Sequence, residues 1–343
     1  MEREGLVIGE SEIRRTPGET GTASGLVQLA LSFAEILRRK DGKGPLRAVI
    51  GFNAFRSSWE PQNSLLRGLS AGGVEVMHLG VVPSPVLLFA ARRLGADGAI
   101  LLADDGERGR KSLRLFANGS PLDREDLVLL RREMEGRSVP PVLPVRGRVR
   151  YINMIPDYLR ELEKRFAGVR PLLRRFQAEV VVGANHGAAS MTAPHALLRA
   201  GCRVVKLGCT LDARNGMDHA AYDSAATLQE LGMVVRATRA DFGASLDGEG
   251  LRAAFVDGGG RPISAGTIGA LLGQPGDAEG SEEEDAAALL LRLVGALTRA
   301  RTARGRKILF REMLDPPTSP SSRAPARIPS GAAGPRNTRP IKR

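Results

Sequence analysis

Apolar residues follow two alternating patterns over residues 1–135. Across Gly25–Arg39 they recur every three or four positions, which predicts an amphipathic helix, and the same spacing predicts helices at Trp59–Ala71 and Arg124–Glu135. Leu46–Gly51 and Gly98–Ala103 are short and almost wholly apolar, as buried strands are. Strands and helices that alternate with connections this short predict a largely parallel sheet with helices on both faces.

The same alternation begins again after a proline-containing segment at 136–150, which we interpret as a linker. Helices are predicted at Tyr151–Phe166 and Ala188–Ala200, and the pattern continues as far as Gly273. The strands predicted in this part include Glu179–Gly183, Phe242–Leu246 and Ala253–Asp257. The pattern therefore predicts an α/β protein with two tandem three-layer α/β/α domains and mixed, mostly parallel sheets. We place the first domain at 1–145 and the second at 150–273.

The composition changes after Gly273. Residues 274–314 read as an acidic linker followed by a candidate helix at Ala286–Thr298. Residues 315–343 are rich in Pro, Ser, Arg and Ala, and we expect a disordered C-terminal tail there.

The net charge of +12 is concentrated near the C-terminus. From Arg299 onward, twelve basic residues face only two acidic ones, a net +10, so residues 1–298 carry only +2. The pI of 10.5 therefore gives no reason to expect specific nucleic-acid binding by the folded part. No apolar run is long enough to cross a membrane, and the charged N-terminus lacks a signal-peptide core. We expect a cytoplasmic protein.

Five segments resemble motifs of one enzyme family. They match, in order, F-G-T-D-G-I-R-G, L-x-A-G-V-x-V, G-x-x-P-T-P, V-D-x-A-[NH]-G-A-G and a strand–metal loop–strand unit: Ile8–Arg15, Leu69–Val76, Leu79–Pro85, Val181–Ala189 and Phe242–Ile263. In order and spacing, residues 6–273 resemble the α-D-phosphohexomutases, which include phosphoglucomutase, phosphomannomutase and phosphoglucosamine mutase. The family has four domains, and this sequence has counterparts of the first two.

The resemblance implies a reaction of carbohydrate metabolism, the intramolecular transfer of phosphate between two hydroxyls of a hexose phosphate. In the family, a phosphoserine in a T-A-S-H-N-P loop donates the phosphate. Three carboxylates of a D-G-D-A-D-R loop hold Mg²⁺ together with one phosphoserine oxygen. These residues define the family as phosphotransferases of the isomerase class.

Most of these positions are changed in this sequence. The ungapped register places Asp104 at the serine, and Lys111-Ser112-Leu113-Arg114 at the N-G-I-K motif that follows it. Aspartate can form an acyl phosphate, but it cannot form the phosphate ester of serine. We interpret Asp104 as a fixed negative charge on a solvated loop, with Ser112 as a remote alternative nucleophile.

The metal loop keeps two of its three carboxylates. It reads Asp247-Gly248-Glu249-Gly250-Leu251-Arg252, so Asp247 stays, Glu249 replaces a shorter aspartate, and Leu251 replaces the third. Because Mg²⁺ requires an octahedral set of oxygen ligands, we expect it to bind weakly or not at all. The alternatives left open are a degenerate metal site completed by Asp104 and a tight solvated turn.

The family's phosphate contacts are partly lost. The R-D-x-R loop has become Phe52-Asn53-Ala54-Phe55, without either arginine. Arg14 and Arg252 remain at their family positions, and a guanidinium matches phosphate oxygens in a bidentate way. We predict both as phosphate-binding residues.

Three interpretations follow. The leading one is a truncated, degenerate pseudoenzyme that is noncatalytic and retains ligand or partner binding. The alternative is an active phosphoglucomutase- or phosphomannomutase-like phosphotransferase with Asp104 in place of the phosphoserine. The third is no function, with a tail translated out of frame. A hexose phosphate, a second copy of the chain and another protein are the candidate partners. Without a third domain, helices Ser264–Leu272 and Ala286–Thr298 are expected to expose apolar surface, which favours such association.

Overall fold

The computed structural model shows two β-sheets with helices packed on their faces. It describes residues 6–8, 13–15, 23–41, 44–53, 59–104, 111–135, 139, 144–211, 221–273, 285–306, 308 and 310–314. The tail predicted at 315–343 lies outside these residues. The predicted fold class, two tandem α/β units with mixed sheets, is confirmed.

The first unit contains an eight-stranded mixed sheet. Its strands are β1 (Leu6–Ile8), β2 (Ile13–Arg15), β3 (Arg47–Phe52), β4 (Glu75–Val81), β5 (Gly98–Asp104), β6 (Lys111–Ala117), β7 (Ser120–Pro121) and β8 (Val149–Tyr151). The strand order is β1-β2-β6-β5-β3-β4-β8, with β7 paired to β6. Parallel pairs run from β5 through β3 and β4 to β8, and the pairs on the β6 side are antiparallel.

Four helices cover this sheet: α1 (Ala23–Asp41), α2 (Trp59–Ala71), α3 (Ser84–Leu94) and α4 (Arg124–Glu135). Side chains of β5 alternate between its two faces, because successive residues of a strand point in opposite directions. Ile100 and Leu102 belong to a core with Phe33 of α1. Ala99, Leu101 and Ala103 belong to the core on the opposite face, together with residues of α3. The near-continuous apolar character of β5 in the sequence thus reflects burial on both sides.

The second unit contains a five-stranded mixed sheet. Its strands are β9 (Glu179–Gly183), β10 (Arg203–Leu207), β11 (Phe242–Leu246), β12 (Ala253–Asp257) and β13 (Pro262–Ile263). They lie in the order β10-β9-β11-β12-β13, and β9 pairs in parallel with both neighbours. Val181 of β9 faces a small core with helix α8 (Ala225–Thr238), and Val180 and Val182 face the larger core on the opposite side.

The larger core is shared by both units. Helices α5 (Ile155–Arg165), α6 (Val169–Arg175), α7 (Ala193–Ala200), α9 (Ala265–Leu271), α10 (Ala286–Arg304) and α11 (Arg311–Leu314) complete the second unit. Buried residues of α3, such as Leu87, and of α5, such as Leu159, belong to one cluster with the second sheet and α10. The two units therefore meet through a continuous apolar core.

Helix α10 corrects one expectation. Its apolar residues were predicted to be exposed, but Leu290, Leu293, Val294 and Leu297 are completely buried within this chain. The helix packs on α6 and α7. The prediction was wrong because α10 closes the second unit itself and so needs no further domain to cover its apolar residues.

Two predicted helices begin later than expected. Tyr151 ends strand β8, where its ring lies 4.5 Å from that of His78, and α5 starts only at Ile155, next to Pro156. The predicted helix at Ala188–Ala200 is divided into a short 3-10 helix and α7 at Thr192, with Pro194 in the first turn of α7. Both α-helices thus begin beside a proline, whose fixed φ suits the first turn.

No helix among the described residues is both long and apolar enough to span a bilayer.

Candidate functional site

The strands that flank the phosphoserine-like loop meet at one end of the first sheet. Strand β5 ends at Asp104, whose backbone pairs with Lys111 at the start of β6. The next residue of β6, Ser112, pairs with Arg14 of β2. The predicted site residues Asp104 and Arg14 therefore lie at the same end of the sheet, on strands β5 and β2, with β6 between them. Residues 105–110 lie outside the described part of the chain.

The second unit contributes the turn between β11 and β12, which we name the DGEGLR loop (Asp247–Arg252). Asp247 closes it: its carboxylate Oδ1 accepts from the Leu251 N–H at 2.8 Å, and its Oδ2 accepts from Arg252 Nε at 3.4 Å. Gly250 has a φ of +72°, a conformation that residues with a Cβ rarely adopt. The sequence therefore folds into a tight turn with Asp247 turned inward.

Glu249 joins the DGEGLR loop to the first unit. Its backbone oxygen accepts from the Ser84 N–H at 2.9 Å, and its carboxylate Oε2 accepts from Ser84 Oγ at 3.0 Å. The same Oε2 lies 3.1 Å from Arg114 Nη1 in an ion pair. Arg114 is on β6, the strand that begins at Lys111. The DGEGLR loop therefore contacts the first unit at Ser84 and at β6.

The carboxyl of Glu249 is unusually placed for a charged group, since its side chain is only 13% exposed. Burial raises the pKa of Glu249 above its ordinary value, and the neighbouring Asp247 raises it further. Arg114, the Ser84 hydroxyl and Arg252 act in the opposite direction without cancelling the effect of burial. Arg114 therefore offsets part of the effect of burial on the pKa of Glu249.

Arg252 points toward solvent at the edge of the DGEGLR loop. Its guanidinium carbon lies 5.5 Å from the centre of the Tyr222 ring, a cation–π arrangement, and its side chain is 60% exposed. The contacts with Tyr222 and Asp247 orient the guanidinium while leaving it accessible. Such a group can receive a phosphate, as the sequence predicts.

The first two residues at the position of the family's R-D-x-R motif, Phe52 and Asn53, are buried. Phe52, at the site of the first arginine, is buried with its ring 5.9 Å from that of His78. Asn53 is also buried, and its N–H bonds to the Leu102 carbonyl at 3.0 Å. Residues 54–58 lie outside the described range. Phe52 therefore belongs to the core and offers no phosphate contact.

The residues of the DGEGLR loop do not fit a Mg²⁺ ion. Of the four carboxylate oxygens of Asp247 and Glu249, three already accept from protein donors. Leu251 supplies no oxygen at the third position. No cluster of three His, Cys, Asp or Glu side chains suited to a metal occurs within the described ranges. With two carboxylates in place of the family's three, both engaged by protein donors, the loop offers Mg²⁺ a poorer oxygen shell than the family's loop does.

Leu251 instead lines a cavity of about 540 Å³ between α3 and α5. The cavity walls include Leu88 and Phe89 of α3, three exposed arginines, and the pair formed by Tyr158 and Asp285. The Tyr158 hydroxyl donates to Asp285, which also caps α10. Burial raises the pKa of Asp285 and of Tyr158. The residue that replaces the third metal ligand thus faces an apolar and aromatic wall.

Sequence reasoning missed two residues of this site, Arg114 and Ser84. Both stand inside motifs that the sequence analysis used: Arg114 at the lysine of N-G-I-K, and Ser84 at the threonine of G-x-x-P-T-P. Their position in these motifs was the available signal. Their contact with Glu249 was not readable, because Ser84 and Glu249 are 165 positions apart.

Two family models match the chain. "Phosphoglucomutase/phosphomannomutase, alpha/beta/alpha domain I" matches residues 5–134, and the corresponding domain II model matches residues 156–260. Both α/β units, including the DGEGLR loop that contacts β6, are thus matched by models of one class of protein, the sugar-phosphate mutases. The chain belongs to the α-D-phosphohexomutase family, as the resemblance implied.

Curated relatives support this assignment. A phosphoglucosamine mutase from Acidothermus cellulolyticus is 31% identical over 278 residues, covering 78% of this chain and 57% of the relative. A phosphomannomutase/phosphoglucomutase from Pseudomonas aeruginosa is 28% identical, covering 71% of this chain and 50% of the relative. The chain spans about half the length of the curated relatives it matches.

A solved structure shows the same fold. The phosphoglucomutase/phosphomannomutase family protein from Burkholderia thailandensis superposes with a TM-score of 0.72 at 18% identity. The match covers 87% of this chain and 78% of that one. At this identity the likeness concerns the fold alone.

Proposed function

We propose that this chain is a noncatalytic phosphohexomutase-family protein that keeps the two-unit scaffold to bind a phosphorylated hexose. The observation that carries this proposal is the state of the DGEGLR loop, whose remaining carboxylates are engaged by Arg114, Arg252, Ser84 and the backbone of Leu251. A loop in this state does not neutralise a transferring phosphoryl group, which is a main source of catalysis in such reactions.

The phosphoryl-carrying position supports the same proposal. Asp104 stands there without a hydroxyl, so the phosphoserine intermediate of the family cannot form. Arg252 provides an oriented, accessible guanidinium for the phosphate of a ligand. Arg14 lies on β2, where its backbone pairs with Ser112 of β6. Binding residues are thus retained where the catalytic ones are changed.

The test of catalysis is coupled turnover of glucose, mannose and glucosamine phosphates, with and without Mg²⁺ and a bisphosphate activator. We expect no turnover by the natural chain or by Asp104→Ala. Turnover that disappears in Asp104→Ala would contradict the noncatalytic assignment. It would support the alternative, in which the Asp104 carboxylate attacks phosphorus, releases the sugar hydroxyl and then returns the phosphoryl group to the other hydroxyl.

The test of binding is calorimetric titration with hexose 1- and 6-phosphates. Arg252→Ala should weaken binding by about tenfold, equivalent to ~1.4 kcal/mol. Arg175→Ala is the matched control, because Arg175 also lies over an aromatic ring, that of Phe176 at 5.4 Å, on helix α6. Equal affinities in the two variants would rule out Arg252 as the phosphate ligand.

A further inference from the structure

Glu249 stands at the position of the second aspartate in the family's metal-loop motif, and its carboxylate forms an ion pair with Arg114. We propose that the guanidinium of Arg114 replaces the divalent cation of the family's loop, so that a protein side chain joins the two units and excludes metal from the DGEGLR loop. This inference goes beyond the proposed function, because it concerns what holds the site together and stands whether or not a hexose phosphate binds.

The first step of the argument is geometry. Both partners of the Glu249 carboxylate come from the first unit, whereas Glu249 belongs to the second. Arg114 Nη1 lies 3.1 Å away in an ion pair, and Ser84 Oγ donates a hydrogen bond at 3.0 Å. A metal held by the family's loop makes the same kind of connection, since its ligands come from the phosphoserine loop and the metal loop. Arg114 performs it with one positive charge and directional N–H groups.

The second step is the length of the side chains. Glutamate is one methylene longer than the aspartate of the family motif, and arginine reaches further than lysine. The longer pair spans the space between β6 and the DGEGLR loop directly. A carboxylate that bonds both a guanidinium and a hydroxyl is well solvated by the protein, which compensates its burial.

The third step is local charge. Among the described side chains of the loop and its partners, Asp247 and Glu249 carry two negative charges, and Arg114 and Arg252 carry two positive ones. The cluster is neutral without any ion. A divalent cation placed there would find no carboxylate at Leu251 and would compete with Arg114 for the carboxylate of Glu249. The substitutions at Glu249 and Leu251 and the arginine at position 114 therefore act together: the loop loses a metal ligand and gains a protein cation as its partner.

The experiment measures Mn²⁺ binding by electron paramagnetic resonance and calorimetry, because Mn²⁺ takes oxygen ligands as Mg²⁺ does. The natural chain should show no saturable binding at millimolar Mn²⁺. A restored loop, Glu249→Asp with Leu251→Asp, should bind weakly while Arg114 is present. Adding Arg114→Ala to the restored loop should tighten binding by at least about tenfold, because the competing cation is removed. The same triple variant should gain thermal stability on adding Mg²⁺.

The control is Arg160→Ala in the restored loop, since Arg160 sits in an exposed pair with Asp157 on α5. It should leave Mn²⁺ affinity unchanged. Should Arg114→Ala prevent folding, Arg114→Gln keeps part of the aliphatic stem and an N–H donor without the charge and must give the same tightening. Micromolar binding by the natural chain, or equal affinity of the restored loop with and without Arg114, would overturn the inference. So would a triple variant that binds no Mn²⁺. None of these outcomes depends on turnover or on hexose phosphate binding.

Discussion

Two arginine–carboxylate pairs lie in the second unit and at its border, and they differ in how completely the protein surrounds them. Arg301 of α10 pairs with Asp241, and both side chains are almost completely buried, at 0% and 2% exposure. Arg114 pairs with Glu249 at 40% and 13% exposure. The first pair lies inside the core of the second unit, whereas the second spans the two units at the candidate site.

The hydrogen bonds of Arg301 are complete. Nε donates to the Ile308 carbonyl at 3.0 Å, Nη1 donates to Asp241 and the Gln177 carbonyl, and Nη2 donates to Asp241 and again to Ile308. All five N–H groups therefore have acceptors. Asp241 additionally accepts from the Glu179 N–H at 2.9 Å. A fully satisfied pair of this kind fixes α10 and the following segment on the second sheet.

Arg114, by comparison, has one ion pair among the described residues, and one oxygen of Glu249 has no protein donor there. The same two functional groups thus serve different purposes. Complete hydrogen bonding and burial belong to a structural link, and partial exposure leaves donors that a ligand can reach.

The largest effect should follow from breaking the buried pair. Arg301→Ala leaves Asp241 as an uncompensated charge in the core, so we expect a loss of ~3–5 kcal/mol in the free energy of unfolding. Urea denaturation followed by circular dichroism measures it. The control Arg160→Ala removes an exposed pair, with side chains 62% and 41% accessible, and should cost only ~0–0.5 kcal/mol. Similar losses in the two variants would contradict the structural role of Arg301.

A smaller effect should follow at the inter-unit pair. Arg114→Ala removes the ion pair that partly compensates the burial of Glu249 but leaves this carboxylate hydrogen-bonded to Ser84, so we expect a loss of ~1–2 kcal/mol. The same urea denaturation measures it. Ser84→Ala, which removes the other donor to the same oxygen, should cost about 1 kcal/mol. If Arg114→Ala destabilised the protein as much as Arg301→Ala, the contrast between the two pairs would not hold.

The comparison also indicates which features of the fold could be predicted from the sequence. The bounds of α2, α4, β9, β11 and β12 agree with the prediction, because local apolar periodicity and glycine or turn residues determine them. From the sequence, Arg301 was recognised only as one of the twelve basic residues near the C-terminus. Its partner lies 60 positions away, and burial of a charge is decided by tertiary contacts rather than local pattern.

For the candidate site too, some features could be predicted from the sequence and others could not. The substitutions at Asp104, Glu249 and Leu251 were visible in the sequence, because each falls within a recognisable motif. That Glu249 is held by Arg114 was not visible, since the motifs belong to different units and only folding brings them together. The predicted domain limits and the roles of Arg14, Asp104 and Arg252 stay predictions.

The smallest effect concerns another buried acid, Asp285, at the start of α10. It caps α10 through the N–H groups of Ala287 and Ala288, and the next residue, Ala286, donates to Gly250 of the DGEGLR loop at 3.0 Å. Burial raises its pKa above the ordinary 3.8, so the folded state holds this proton more tightly than the unfolded state. As pH rises from the ordinary pKa through the raised one, the unfolding free energy must fall, and it is level on either side.

Asp285→Asn isolates this contribution, because the amide oxygen can still cap α10 while the titrating group is gone. The unfolding free energy of the natural chain minus that of the variant should fall as pH increases from about 4 to 7, following the direction of the pKa shift. Urea denaturation at several pH values measures the slope. A difference that rises with pH would mean that the folded state stabilises Asp285 as a carboxylate, and would contradict the direction of the shift.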